Sequence, residues 1–273
     1  MNNWQHIYAN FDPIAFTLGP ISVHWYGLMY AFALISAIVV TKWLIRKDKI
    51  NIKEDIFDSY VWWVEIGVIL GARLGYILFY DSNTMYYVTH PWQIFNPFIN
   101  GMYAGISGMS YHGALIGFII ASFLFARKYK ISMLFLADIS VVGISAGYIF
   151  GRIGNFLNQE LVGRVTDVPW GIYVGNTLRH PSALYEAFLE GLLLFVILFL
   201  YRKRTHFVGQ LALLYIILYS IARIIAEYFR QPDIQLGFLY SDWLTMGILQ
   251  STIFAALGIF VYLYVSKNKP SLA

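Results

Sequence analysis

Cysteine is absent from this chain of 273 residues, and charged residues make up only 12% of it. Without cysteine there is no disulfide, no thiolate metal ligand and no cysteine nucleophile, so any thiol chemistry needs a thiol from the substrate. Soluble domains contain about 25% charged residues. Because this chain is also 59% hydrophobic, its composition indicates an all-α polytopic integral membrane protein.

Lysine is scarce inside the hydrophobic stretches. All nine lysines lie in polar linkers or, at Lys42, at the end of the first stretch. The net charge of +4 therefore reflects membrane topology and does not indicate a nucleic-acid partner.

A membrane-spanning helix needs about 20 mostly apolar residues. The sequence predicts about seven such helices and no separate soluble domain, so 1–273 is expected to form a single membrane domain. The predicted spans are 24–45, 58–80, 106–126, 133–151, 183–201, 209–229 and 243–265. In one alternative, segment 101–111 re-enters the membrane, which Gly101, Gly105 and Gly108 would permit. Segment 152–182 is expected to form a small periplasmic cap.

Basic residues alternate between successive linkers. Segments 1–23 and 81–105 contain no lysine or arginine, whereas 46–57, 127–132, 202–208 and 266–273 do. Positive charge marks the cytoplasmic side, so we expect a periplasmic N-terminus and a cytoplasmic C-terminus. Residues 1–25 also lack the basic region of a cleavable secretory signal.

Six arginines lie where topology does not require cations. They are inside spans or in lysine-free loops, at Arg73, Arg152, Arg164, Arg179, Arg223 and Arg230. Cations are costly at such depths and often mark functional sites, and guanidinium groups suit phosphate. The pattern predicts a site for a phosphate-bearing membrane molecule.

The sixth span places four functional groups on one helical face. Tyr219, Arg223, Glu227 and Arg230 follow at i, i+4, i+8 and i+11, which face the same side of a helix. We expect Glu227 to hold one guanidinium and to leave the other for an anion. The alternative is a buried ion pair that only fixes helix register.

Further candidates lie near the ends of two other spans. The run Gly151–Glu160 supplies Arg152, Asn155 and Glu160, and Arg152 is expected to begin the loop after span four. His112 lies near the start of span three, and its ordinary pKa suits a general base at neutral pH, although a structural role is the alternative.

Glycines recur at four-residue spacing in two spans. They are Gly67, Gly71 and Gly75, and Gly143, Gly147 and Gly151. This spacing favours close helix packing.

Other functions fit less well. Scattered histidines without clustered carboxylates argue against a metal.

Gly105-Ile106-Ser107-Gly108 matches the GxSG motif of intramembrane serine proteases, but those enzymes draw their histidine from another helix, and the nearest here is His112. A lipid carrier would also use buried arginines, but it predicts two similar halves. A structural scaffold leaves the arginines unexplained.

Six segments, in family order, resemble bacterial phosphatidylglycerol–prolipoprotein diacylglyceryl transferases. They are Tyr26–Tyr30, Gly71–Gly75, Gly108–Gly117, Gly151–Glu160 with Gly163-Arg164, Arg179–Glu186 and Arg223–Asp233. One departure is Ala114, where the family usually has a second glycine after the histidine.

The resemblance implies seven transmembrane helices in the bacterial inner membrane and no cofactor. It implies transfer of a diacylglyceryl group from phosphatidylglycerol to the lipobox cysteine of a preprolipoprotein, whose signal peptide lies among membrane lipids. We expect His112, Arg152, Arg223 and Glu227 to be catalytic. Substrate-binding candidates are Arg152, Tyr26, Asn155, Glu160, Gly163, Tyr219, Arg73 and Arg230.

Overall fold

The computed structural model describes residues 4–19, 21–99, 102–103, 108–232 and 237–268. The chain divides into two compact units. One comprises Met1–Lys49 and Ala137–Ala273, and the other comprises Ile50–Leu136.

Long helices dominate the described chain, which confirms the all-α polytopic prediction. Six of them are long and apolar enough to cross a membrane. They are α1 (Trp25–Lys47), α2 (Glu54–Phe79), α5 (Met133–Leu157), the continuous helix Ser182–Arg204, α8 (Gln210–Glu227) and α9 (Met246–Asn268).

The predicted span at 106–126 corresponds to α4 (Tyr111–Tyr129), which begins where Ser110 Oγ accepts a hydrogen bond from the Gly113 amide. This helix is not among the six, and it carries Arg127 and Lys128 in its last turn. A seventh crossing therefore stays a prediction. The re-entrant alternative depends on Gly101 and Gly105, which lie outside the described residues, as do Ile106 and Ser107 of the protease-like motif.

Glycines set the packing of α2 on α4 in the unit Ile50–Leu136. A Cβ atom on Gly71 would lie 2.8 Å from Gly117 Cα, and one on Gly75 would lie 2.6 Å from Gly113 Cα. Real Cβ atoms do not approach so closely, so these positions need glycine while the helices stay in place. The prediction of close packing is confirmed for this span. A short helix, α3 (Thr84–Thr89), and the strand pair β3 (Phe98–Ile99) and β4 (Met102–Tyr103) complete the unit.

In the other unit, α5 packs on α1 through small residues. A Cβ atom on Gly147 would lie 2.5 Å from the Ala33 carbonyl oxygen, and one on Gly143 would meet the Ala37 carbonyl oxygen just as closely. Gly151 differs, because a Cβ atom there would meet no atom within 4 Å. The core beside this contact contains Leu44, Val142, Leu198 and Leu211.

The helix Ser182–Arg204 is not uniform. It comprises α6 (Ser182–Glu186), π-helical turns at Ala187–Leu193, α7 (Leu194–Tyr201) and a final 3-10 turn at Arg202–Arg204. Such π segments are frequent at functional sites because they change which side chains face a neighbour. Here the segment contains Glu190.

Two antiparallel strand pairs lie outside the helices of this unit. They are β1 (Ile14–Leu18) with β2 (Ile21–His24), and β5 (Ile172–Val174) with β6 (Thr177–Arg179). The second pair falls within the segment predicted as a cap. That segment starts later than expected, because α5 continues to Leu157.

Candidate active site

Three helices of one unit bring six charged side chains together. α5 supplies Arg152, the helix Ser182–Arg204 supplies two glutamates, and α8 with the residues just after it supplies the rest. We name this the guanidinium–carboxylate cluster, and its members are Arg152, Glu186, Glu190, Arg223, Glu227 and Arg230.

Arg152 is held from several sides. Its Nε and Nη2 donate to the Tyr148 hydroxyl at 2.8 and 2.6 Å, and its Nη1 donates to Asn155 Oδ1 at 3.2 Å. Nε also lies 3.0 Å from Glu186 Oε2. The expectation that Arg152 begins a loop was wrong, because it lies inside α5. These partners compensate the charge and the hydrogen-bond donors of the guanidinium, so α5 can continue past Arg152.

Arg223 contacts three carboxylates. Its Nη1 lies 3.0 Å from Glu186 Oε2 and 3.5 Å from Glu190 Oε1, and its Nη2 donates to Glu227 Oε1. The Thr245 hydroxyl donates to the second oxygen of Glu227 at 2.7 Å. The predicted pairing of Glu227 with an arginine on its own helical face is confirmed for Arg223.

Glu186 links the arginines. Its Oε2 lies 3.0 Å from both Arg152 Nε and Arg223 Nη1, and its Oε1 lies 3.9 Å from Arg230 Nη1. The prediction that Glu227 would leave one guanidinium without a carboxylate was wrong, because Arg230 lies beyond the end of α8 and faces Glu186. Glu186 and Glu190 are fully buried.

Charge in the cluster balances, with three guanidinium groups and three carboxylates. Burying any one of these ions alone would cost several kcal/mol, roughly the amount that a good ion pair recovers. A guanidinium has five N–H donors in a rigid plane, so carboxylates on one edge can orient it while another edge donates to a phosphate. The cluster can therefore act as a preorganised set of donors for an anion.

Several predicted residues adjoin this cluster. Asn155 Nδ2 donates to Glu160 Oε2 at 3.4 Å, and Asn158 also donates to Glu160. The Tyr219 hydroxyl lies 3.3 Å from that of Tyr148. Glu160 thus reaches Arg152 through Asn155.

Tyr26 lies in the first turn of α1 and is 43% exposed. A Cβ atom on Gly154 would lie 2.9 Å from Met29 Cβ and 3.5 Å from the Tyr26 ring. The absence of a side chain at Gly154 therefore lets α1 approach α5 two residues after Arg152, which brings Tyr26 close to this part of α5.

The Gly163-Arg164 pair fixes the backbone around Arg230. Gly163 forms an antiparallel bridge with Arg230, and Arg164 Nε donates to the Arg230 carbonyl at 3.0 Å. Arg179 Nη1 donates to the Gly163 carbonyl at 3.0 Å. These arginines bind backbone oxygens in the described structure, so they position Arg230.

Arg73 and His112 belong to the other unit. Arg73 is buried and donates to the carbonyls of Ile94 at 2.5 Å and Gly108 at 3.2 Å. His112 is exposed, and its Nδ1 lies 3.5 Å from the Tyr80 hydroxyl. Arg73 thus supports the chain leading into α4, whose second residue is His112.

Three partners of the arginines were not among the predicted site residues: Tyr148, Glu186 and Glu190. The two glutamates could have been predicted from the sequence, because burying an acidic side chain in an apolar span costs as much free energy as burying an arginine. Tyr148 carried no such signal, since tyrosine is common in membrane helices. Among the described residues, no group of three histidine, aspartate or glutamate side chains could hold a metal ion.

Comparison with known proteins identifies the family of this chain. The model of the family described as prolipoprotein diacylglyceryl transferase matches residues 13–264. A relative from Aliarcobacter butzleri, named phosphatidylglycerol–prolipoprotein diacylglyceryl transferase, is 71% identical over 269 residues and covers 98% of each chain. Relatives of the same name are 54% identical in Campylobacter jejuni, over all of both chains, and 56% identical in Wolinella succinogenes, over 97% of both. The chain belongs to the prolipoprotein diacylglyceryl transferase family.

Proposed function

We propose that this protein transfers the diacylglyceryl group of phosphatidylglycerol to the thiol of a lipobox cysteine in a preprolipoprotein. The reaction releases glycerol 1-phosphate and is the first step of bacterial lipoprotein maturation. Family membership over nearly the whole chain supports the reaction. The observation that carries the site assignment is the buried guanidinium–carboxylate cluster, in which Glu186 holds Arg152 and Arg223 side by side.

The chemistry needs an anion site. The substrate thiolate forms a carbon–sulfur bond to the glycerol carbon, and the carbon–oxygen bond to phosphate breaks. The electron pair of that bond passes to the phosphate oxygen, so the leaving group gains one negative charge. Fixed donors aimed at that charge lower the barrier. Arg152 and Arg223 are the donors, and Glu227 orients Arg223.

The neighbouring polar groups bind the rest of the lipid headgroup. Asn155, with Glu160 behind it, and Tyr219 border the two arginines and suit the hydroxyls of the glycerol. Tyr26 contributes from α1. Arg230 adds positive charge near Glu186, and Gly163 holds Arg230 in place.

Two further candidates, His112 and Arg73, belong to the unit Ile50–Leu136. His112 is the base for the substrate thiol, whose ordinary pKa is about 8.5. Exposure of His112 suits exchange of that proton with solvent. Arg73 is a substrate-binding candidate through its place beneath the start of α4.

The protein works in the bacterial cytoplasmic membrane as a multi-pass protein, with the N-terminus in the periplasm and the C-terminus in the cytoplasm. The lysine distribution supports this orientation. Its partners are phosphatidylglycerol, the signal peptide and lipobox cysteine of preprolipoproteins, and other membrane lipids.

A purified detergent sample tests the proposal directly. The protein is incubated with phosphatidylglycerol and a lipobox peptide containing cysteine, and the peptide mass is measured. We expect a diacylglyceryl mass increase with the wild type, its loss in Arg152→Ala and Arg223→Ala, and its retention in Arg204→Ala. Arg204 is a matched control because it is an exposed arginine after α7. A folded wild type that leaves the peptide mass unchanged would refute the transferase function, and normal transfer by either cluster variant would refute the site.

A further inference from the structure

Tyr148 occupies an unusual place in the cluster. It lies one helical turn before Arg152 on α5, and its hydroxyl accepts from both Nε and Nη2 of that residue. The same hydroxyl donates to Glu190 Oε2. One neutral oxygen therefore lies between a cation and an anion in a buried site.

The hydrogen-bond directions follow from the groups present. A guanidinium only donates, so the Tyr148 oxygen must accept from Arg152. A tyrosine hydroxyl has a single proton, which Tyr148 donates in a hydrogen bond to the Glu190 carboxylate. Glu190 Oε2 thus lies 4.0 Å from Arg152 Nη2 instead of forming a direct hydrogen bond with it.

This separation matters for phosphate binding. A carboxylate and a phosphate compete for the same planar edge of a guanidinium. Glu186 already lies 3.0 Å from Arg152 Nε. A second carboxylate in direct contact with Nη2, from which Glu190 Oε2 now lies 4.0 Å away, would leave only Nη1, the donor to Asn155, for the phosphate.

We propose that Tyr148 is a positioning residue, whose hydroxyl orients Arg152 toward the substrate phosphate and keeps Glu190 from pairing with that guanidinium. The inference rests on the proposed function, since it takes the ligand of Arg152 to be the phosphate of phosphatidylglycerol.

Tyr148→Phe tests the hydroxyl alone. The phenyl ring can keep its place against the guanidinium, whose carbon lies 4.9 Å from the ring centroid. Without the hydroxyl, Glu190 pairs with Arg152 and competes with substrate. We expect KM for phosphatidylglycerol to rise about tenfold while kcat stays within about threefold, as when ground-state binding is lost.

The decisive variant is Tyr148→Phe combined with Glu190→Gln. Removing the charge of residue 190 removes the competitor, so we expect KM to fall at least about threefold below that of Tyr148→Phe, a coupling between sites that independent effects would not give. A merely structural role for Tyr148 predicts the opposite, because the second substitution would disturb the cluster further and would not lower KM. Tyr264→Phe, at an exposed position of α9, is the matched control.

Two measurements are made on each variant: transfer kinetics, and the rise in thermal unfolding midpoint on adding phosphatidylglycerol in detergent. A raised KM and a smaller midpoint rise, both reversed at least in part in the double variant, support the inference. An unchanged KM in Tyr148→Phe, or a double variant as impaired as the single one, overturns it.

The same design separates failure of the inference from failure of the proposed function. If wild type makes no product, the transferase function is refuted. The rise in thermal unfolding midpoint on adding phosphatidylglycerol still tests the role of Tyr148. If Tyr148→Phe does not fold, the double variant decides, because Glu190→Gln removes the buried charge that the lost hydroxyl leaves without its donor. A KM more than about tenfold above wild type in the folded double variant would then overturn the inference.

Discussion

Arg223→Lys separates the charge of this residue from its shape. Lysine keeps the positive charge, so the cluster stays balanced at three cations and three anions. It loses the planar fork that now reaches Glu186 at 3.0 Å and Glu190 at 3.5 Å through one nitrogen and Glu227 through another. A single ammonium nitrogen cannot reproduce that geometry.

The magnitude follows from the contacts. Losing one charge-assisted hydrogen bond costs about 1.5–3 kcal/mol of stability. Arg223→Ala would cost more, about 3–5 kcal/mol, because it leaves an unbalanced carboxylate in a buried site. If the Arg223 donors also stabilise the departing phosphate, Arg223→Lys lowers kcat by about 100- to 1,000-fold.

The assay compares initial transfer rates and thermal unfolding midpoints of wild type, Arg223→Lys and Arg204→Lys in one detergent. The Arg204→Lys control makes the same chemical change at an exposed position. A folded Arg223→Lys enzyme with kcat within about threefold of wild type would refute the reasoning, since charge alone would then suffice.

Two further predictions concern stability. Gly71→Ala should lower the thermal unfolding midpoint, because its methyl group would lie 2.8 Å from Gly117 Cα, and such overpacking costs about 1–3 kcal/mol. Asp48 should make the stability of the folded protein depend on pH in the acidic range. Burial by itself raises the pKa of Asp48, but its hydrogen bonds and ion pairs with Arg202 and Lys203 outweigh this and lower the pKa below its ordinary value. The folded state therefore gains stability above the unfolded pKa and loses it as pH falls through the folded one. Thermal unfolding from pH 6 to pH 3 should accordingly be less pH-dependent in Asp48→Asn.

Each of these predictions has a contrasting result. Gly27→Ala is the control for the first, because a Cβ atom on Gly27 meets no atom within 4 Å; equal midpoints for the two variants would contradict the packing explanation. For the second, an Asp48→Asn protein with the same acid dependence as wild type would mean that other carboxylates determine it.

The membrane architecture was predictable because it depends on local properties. The length and polarity of a segment decide whether it can cross a bilayer, and Trp25–Lys47 matches the span predicted at 24–45 within two residues. The cost of an ion in a span singled out Arg152, Arg223 and Glu227. The spacing along one helical face was also enough to predict that Glu227 pairs with one of the two arginines, Arg223 or Arg230.

The end of α5 was less predictable. The sequence predicted that a loop begins at Arg152, yet the helix continues to Leu157. Two tertiary contacts favour continuation: Gly154 lets Met29 of α1 approach, and Glu186 compensates the charge of Arg152. Neither contact is visible in the local sequence.

The sequence by itself determined that this is a helical membrane protein, and that several arginines lie where a charge in a membrane is unfavourable and often functional. Only the tertiary structure decided which carboxylate meets which guanidinium. Tyr148 and Tyr219 are 71 positions apart, and Glu186 and Arg223 are 37 apart. Each residue turns a helix by about 100°, so the facing side chains depend on how whole helices rotate and pack against one another. That rotation, set by the glycine contacts and the π-helical turns around Glu190, is a property of the assembled helices.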